Sequence, residues 1–282
     1  TFYGALVDVK LCEVALVLEQ VVGPSLDHFV IVVSSRRDST QCWSAQQFVI
    51  VLGVCRALSH LHLRCPPIVH GDIKPGNILL EHVSRPHSPF TFFLRPKVAD
   101  FGLSRVLKGD RLLPLGGSLR WAAPEVLEQS GTSPTLAADV FSFGRLVTFI
   151  MSGVRPFGGF TASRIRDAMR SGDMQVPQHP PDASDFTLEC WRIGVSCLIH
   201  DFGARPAMWE ICAWCEGMRS APDITMCDEV PAKELQPWES GVAVVRRHSL
   251  LGHAIGEEVG TAVNPSSGAA GLPSVRRLIH AL

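Results

Sequence analysis

The chain has 282 residues, 46% of them apolar, which is enough to build at least one buried core. Charged residues make up 19% and the formal net charge is -1, so no broad field exists to draw nucleic acid or an anionic membrane surface. No apolar run reaches the roughly 18 residues needed to span a bilayer, because Arg145 interrupts the best candidate between Val140 and Met151.

The opening TFYGALVDVK lacks the basic, apolar and small-residue order of a secretory leader, so a soluble, cytoplasmic protein is expected. The 9 cysteines are an odd, scattered set unlike a secreted disulfide framework. Reduced thiols are the expectation for them. Cys212 and Cys215 form a CxxC inside the helix-like MWEICAWCEGM, with no second CxxC or paired histidine to complete a zinc site.

In chain order, YGALV and EVALVLEQVV predict two strands over residues 1–22, stopped by Gly23-Pro24. Between Ser44 and His62, Phe48, Val49, Val51, Leu52, Cys55, Leu58 and Leu61 recur at three- and four-residue steps, the pattern of an amphipathic helix. Pro66-Pro67 closes it. IVHGDIKPGNILL and KVADFG then read as short β segments flanking a loop, with EHVSRPHSPFTFFLR between them as a proline-broken connection. Thr135–Ser152 carries apolar residues on nearly every face, which predicts a helix buried all round. Two further helices are expected over Phe186–Ile199 and Pro206–Met218, the second opening with proline in its first turn. After Ser220, proline, glycine and serine dominate without periodicity, as in a weakly ordered tail.

The chemistry concentrates in HGDIKPGNILL, which places Asp72, Lys74 and Asn77 on one short loop. A carboxylate to accept a proton, an amine to neutralise phosphate oxygens and an amide oxygen to hold a metal form the set that phosphoryl transfer requires. Asp100-Phe101-Gly102 adds a second carboxylate after a β segment, with a glycine that lets the backbone turn. Hard Mg²⁺ takes such oxygen ligands.

HGDIKPGN resembles the protein-kinase catalytic loop, and ADFG resembles its metal-binding DFG. GSLRWAAPE from Gly117 to Glu125 looks like the end of an activation segment, closest to the tyrosine-kinase-like group of serine/threonine kinases. DVFSFG from Asp139 resembles the start of that fold's buried helix, where the aspartate ties down the catalytic-loop backbone. Arg205 stands where the family pairs an arginine with the glutamate of APE, here Glu125. The resemblance covers about residues 1–219 and implies an α+β, protein kinase-like fold. Residues 1–22 would be small-lobe strands and hinge, 23–219 a mainly helical large lobe, and 220–282 a tail.

It further implies ATP and Mg²⁺ as cofactors and serine/threonine hydroxyls of proteins as substrate. Asp72 would be the base, Lys74 would contact the γ-phosphate, and Asn77 and Asp100 would hold Mg²⁺. Leu18 would guard the back of the adenine pocket, Glu19 and Val21 would offer backbone groups to adenine, and Leu79 would pack beneath it.

Several features depart from the family pattern. Gly71 replaces the arginine of HRD, removing the cation that pairs with a phosphorylated activation loop. No glycine-rich loop, strand lysine or helix glutamate precedes the hinge, so negligible phosphotransfer is expected from this chain alone, as from a fragment of a longer kinase. His-Gly-Asp also resembles small-molecule phosphotransferases of the aminoglycoside and choline kinase type, which lack APE. A non-catalytic pseudokinase scaffold is the other alternative, although its usual hallmark is loss of Asp72, Asn77 or Asp100. Ser104 and Ser118 fall in the activation segment, and Arg246-Arg247-His248-Ser249 is an RRxS arrangement of the kind basic-directed kinases can modify, although short basic pairs are common.

Overall fold

The computed structural model describes residues 2–8, 13–34, 40–85, 88–101, 105–106, 119–128, 135–179, 183, 185–218, 230–231 and 246–249. It divides into two compact units, one of Thr1–Gly23 with Leu235–Leu282 and one of Pro24–Glu234. In the first unit, β1 (Phe2–Asp8) and β2 (Glu13–Leu18) form an antiparallel pair, Asp8 opposite Glu13. β2 ends at Leu18, short of the predicted Val22, and residues 19–22 carry no ladder.

The second unit is mostly helical. Its elements are α1 (Leu26–Ser34), α2 (Thr40–His62), β3 (Ile68–Val69), β4 (Ile78–Arg85), β5 (Ser88–Val98), β6 (Arg105–Val106), α3 (Pro124–Glu128), α4 (Leu136–Ser152), α5 (Ala162–Arg170), α6 (Asp185–Ser196) and α7 (Met208–Met218). β7 (Val230–Pro231) adds to the edge of β5, and β8 (Arg246–Ser249) pairs with β2 in the first unit, Glu13 opposite Ser249. The basic motif at Arg246–Ser249 therefore lies in a backbone ladder. The rest of the predicted tail lies outside the described residues.

One expectation is corrected. The stretch read as a proline-broken connection is a β-hairpin, β4 pairing with β5 from Ile78↔Val98 to Ser84↔Phe92, with a register irregularity before Arg85↔Ser88. Proline lacks a donor, but β7 covers β5 only at Thr91 and Phe92, so the prolines of β5 fall where no third strand needs their N–H, and the Phe90-Thr91-Phe92-Phe93 run is the aromatic and β-branched composition that pleated backbone favours. α7 likewise starts at Met208, so Pro206 lies just before the helix instead of in its first turn.

α4 is the centre of the second unit. Every residue from Ala138 to Met151 is buried, as the all-round apolar pattern predicts. Thr135 caps it by accepting from the Ala138 N–H, and Gly153 ends it at φ 69, a left-handed conformation that glycine takes without Cβ strain. Ala138 and Phe141 join Phe157, Ile165, Met169 and Leu198 in one apolar cluster. Arg145 is wholly buried, its guanidinium stacked on Phe157 at 4.7 Å and Phe141 at 5.2 Å and donating to the Met174 carbonyl. Burial pushes its pKa down to about 10, so it stays charged at neutral pH.

Where α4 crosses α6, backbone meets backbone. A Cβ on Gly144 would lie 2.6 Å from the Cys197 Cβ and 2.7 Å from the Gly194 carbonyl oxygen. A Cβ on Gly217 of α7 meets nothing within 4 Å. Gly144→Ala should therefore lower the unfolding free energy by about 1–3 kcal/mol through overpacking, while Gly217→Ala should raise it by about 0.5 kcal/mol. Urea unfolding of the two variants checks this, and shifts in the same direction would contradict it.

Candidate active site

β3 delivers the chain to His70 at the mouth of the loop, and a short 3₁₀ turn over Pro75–Asn77 returns it to β4. The loop is held from beneath by α4. The Asp139 carboxylate accepts the His70 N–H at 2.7 Å and the Gly71 N–H at 2.8 Å, and its Oδ2 lies 3.0 Å from Nε2 of His62 at the end of α2. Asp139 is 1% exposed. The expected tie between the buried helix and the loop is thus present, and His62 is a partner that the sequence reading missed. Gly71 adopts φ 80, where the absence of a Cβ removes strain.

Above this anchor the three loop groups converge. Lys74 Nζ donates to Asp72 Oδ2 at 2.6 Å, and Asn77 Nδ2 donates to the same oxygen at 3.0 Å and to the Asp72 carbonyl at 2.8 Å. Asp72 and Asn77 are buried, while Lys74 keeps part of its side chain in solvent. Committing the Asn77 amide nitrogen to Asp72 turns the amide oxygen to the other side, an oxygen of the type Mg²⁺ accepts.

Asp100 follows directly on the strand pairing that flanks the loop, since the Ala99 N–H donates to the Asn77 carbonyl at 2.8 Å. Asp100 itself has φ 65, a left-handed conformation uncommon for a non-glycine residue. His70 joins the two segments. Its Nε2 lies 3.1 Å from the Ala99 carbonyl, its Nδ1 accepts the Asp72 N–H at 3.3 Å, and its ring packs on Phe101 at 4.9 Å. Both nitrogens of a neutral imidazole are thereby used, Nε2 donating and Nδ1 accepting. Burial holds the His70 pKa below its usual value, outweighing the opposite pull of Asp139, Asp72 and Asp100. A carboxylate bonded to an amine and an amide, with the Asp100 segment paired to the loop through Ala99, is an arrangement that can bind a metal nucleotide and accept a hydroxyl proton.

Leu79 sits on β4 between the buried Ile78 and Leu80, half-exposed where they are not, and forms an isolated bridge with Ser25. Leu18, Glu19 and Val21 belong to the unit of Thr1–Gly23. Gly102, Ser104 and Gly117-Ser118 lie outside the described residues. Beyond the loop, Arg205 does pair with Glu125, at 2.7 and 2.9 Å. Asp27, Lys74, Arg120 and Arg155 line a cleft of about 200 Å³ beside the loop. Among the described residues no helix is long and apolar enough to cross a membrane.

Comparison with known proteins gives the geometry a context. Residues 3–214 match the family described as the protein kinase domain. A receptor-like protein kinase of Arabidopsis thaliana, the leaf rust 10 disease-resistance locus type numbered 2.4, is 37% identical over 142 residues, covering 49% of this chain and 21% of the relative. Cysteine-rich receptor-like protein kinase 6 of Oryza sativa subsp. japonica is 29% identical over 217 residues, 71% of this chain and 29% of the relative. A leucine-rich repeat receptor-like kinase of Arabidopsis thaliana, whose own name questions its activity, is 34% identical over 169 residues, 57% of this chain and 20% of the relative. The chain thus spans less than a third of the length of these relatives.

Two outcomes follow from the loop's anchoring. Asp139→Ala leaves two loop N–H groups without an acceptor and should lower stability by about 3 kcal/mol, and Asp139→Asn, which keeps one acceptor, by less. Chemical denaturation measures both. Because the folded His70 pKa lies below the unfolded value near 6.5, the unfolded chain binds the extra proton first as pH falls. Its contribution to stability is complete above about pH 6.5 and is lost on acidification below it. A His70→Gln variant should lose that part of the pH slope, and an unchanged slope would remove His70 as its source.

Proposed function

The chain belongs to the protein kinase domain family, and we propose that the protein it represents transfers the γ-phosphate of ATP to serine and threonine hydroxyls of proteins. The observation that carries this reading is the meeting of Lys74 and Asn77 on one oxygen of Asp72. In it, Asp72 receives the proton of the attacking hydroxyl, and Lys74 neutralises charge on the transferred phosphoryl group. Asn77 and Asp100 are the oxygen ligands that would hold Mg²⁺, which supplies charge neutralisation along the phosphates.

The amide orientation at Asn77 and the backbone bond from Ala99, the residue before Asp100, to the Asn77 carbonyl support that pairing. Lysine at position 74 supports hydroxyl specificity for serine and threonine, since tyrosine-directed kinases carry arginine and alanine there. Leu79 is proposed to pack under the adenine, and Leu18, Glu19 and Val21 are proposed as adenine-pocket and hinge residues by their place in the family motif.

A non-catalytic reading gains one point from the relative whose name questions its activity. It is opposed by the retention of Asp72, Asn77 and Asp100 together. The two readings separate in a chain extended upstream of Thr1 to include a glycine-rich loop and strand lysine. Such a chain should phosphorylate serine or threonine peptides, and Asp72→Asn should reduce kcat by about 10²–10⁴. Transfer to choline or an aminoglycoside instead, or none at all with ATP and Mg²⁺ present, would defeat the assignment.

A further inference from the structure

The cleft beside the catalytic loop is lined by three cations, Lys74, Arg120 and Arg155, against one carboxylate, Asp27. Two of the cations are paired: Lys74 Nζ lies 2.6 Å from Asp72 Oδ2, and Arg155 Nη2 lies 2.6 Å from Asp27 Oδ2. Arg120 has no carboxylate partner among the described residues. Its guanidinium donates instead to three backbone carbonyls, from Nη1 to those of Pro156 and Phe157 and from Nη2 to that of Phe160. The segment after α4 turns to bring those carbonyls together, Phe157 at φ 53 and Gly159 at φ 76. Carbonyl dipoles solvate the guanidinium without cancelling its charge. Setting Asp27 and Asp72 against the three cations therefore leaves one positive charge over.

These groups differ in how firmly they are held. Trp121, next to Arg120, is buried with its ring edge-on to Phe149 of α4, and its carbonyl accepts from Ser142 Oγ at 2.9 Å. Arg120 is thus fixed at its backbone by α4 and at its head by the three carbonyls, with Nε and one Nη2 hydrogen left as donors. A guanidinium already held in place loses little freedom when it binds an anion. The Arg155–Asp27 pair is the reverse case, its side chains 51% and 33% exposed. An exposed pair of this kind contributes little, so an incoming anion displaces it at little cost.

Position sets what can enter. Lys74 lines the cleft and bonds to Asp72, so a peptide whose hydroxyl meets Asp72 runs along this wall. Extended chain advances about 3.3–3.6 Å per residue, which brings the residues one or two places from the hydroxyl to the cleft. We propose that the cleft receives the carboxylate of an aspartate or glutamate one or two residues from the accepting serine or threonine, with Arg120 as the residue that selects it. The inference rests on the kinase reading, in which Asp72 faces the hydroxyl, and gives that reading a substrate class, acidic peptides. The planar fork of Arg120 matches a carboxylate, and one surplus positive charge suits a single negative one. Arg155 adds a second cation as the entering carboxylate displaces Asp27. Asp27 is therefore a competitor built into the site.

The test titrates the intact chain, by fluorescence anisotropy, with serine peptides that differ only in carrying glutamate or glutamine at those positions. The glutamate peptides should bind about fivefold more tightly, and the preference should shrink as salt is added. Asp27→Asn removes the competitor and should enlarge the preference, Arg155→Gln should reduce it, and Arg120→Gln should abolish it. Should Arg120→Gln fail to fold, the opposite responses of the two rim variants still decide, because an ion pair that only braces the fold would shift binding the same way when either partner is lost. Equal binding of the two peptides, binding of neither, or losses of the same size in Asp27→Asn and Arg155→Gln would overturn the proposal. In the chain extended upstream of Thr1, glutamate peptides should also show the lower KM. Equal phosphorylation of both peptides there would overturn the cleft's role and leave the kinase reading standing. Transfer to neither would defeat the kinase reading, and the binding titration would then decide the cleft by itself.

Discussion

A buried carboxylate holds the catalytic-loop segment in place. Asp139 lies in the first turn of α4 with 1% exposure, a position where a bare charge would be expensive to desolvate. It is tolerated because every direction around it offers a donor or a positive dipole end. The His70 and Gly71 N–H groups and the His62 ring satisfy its oxygens, and the helix N-terminus favours negative charge there. The same bonds that compensate the charge fix the backbone from which Asp72 projects. Removing the loop's geometry would strand the carboxylate, and removing the carboxylate would free the loop, so the two are energetically one object.

That arrangement requires α4 itself to be immovable, and the charged residues around it supply the staples. Arg205 uses all five of its N–H donors: Nε to the Ile199 carbonyl, one terminal nitrogen to Glu125 and the Ala137 carbonyl, the other to Glu125 and the His200 carbonyl. One guanidinium thereby joins α3, the start of α4 and the segment after α6. A lysine, a point charge with three donors, could not reproduce that fork. Arg145 works differently: stacked between Phe141 and Phe157, it fills volume as an aromatic-facing cation while its terminal nitrogens bond to Met174 and Met169. Its Nε has no hydrogen-bond partner among the described residues, so packing more than full hydrogen bonding keeps it in the core.

What the sequence made legible follows from which interactions are local. The burial of α4 was readable because apolar residues on all faces leave one physical solution, and the Asp72, Lys74 and Asn77 group was readable because three chemically matched residues share one short loop. The tie of Asp139 to that loop and the Arg205–Glu125 pair came through family resemblance, since the bonded groups are separated by 68 and 80 residues. His62 left no signal: a histidine at the end of an amphipathic helix has the same pattern whether it faces water or a carboxylate. The hairpin of β4 and β5 was missed for a different reason. Prolines at 86, 89 and 96 read locally as breaks, yet Pro89 and Pro96 fall where β7 does not pair with β5, and the aromatic run between them outweighs the interruption.

α2 connects these pieces because one rigid helix touches each in turn. Near its start, Gln47 donates to the Ile150 carbonyl at the far end of α4; midway, Cys55 faces α7; at its last residue, His62 meets Asp139. The order of contacts means α2 runs antiparallel to α4 and brackets its whole length. Cys55 and His62 are separated by two helical turns, about 10 Å of rise at 1.5 Å per residue. A helix transmits displacement along its axis far better than a loop does, since its backbone bonds resist local stretching. The α7 contact and the His62–Asp139 contact, the point at which the helical core grips the loop, are thereby held at a fixed spacing along one helix.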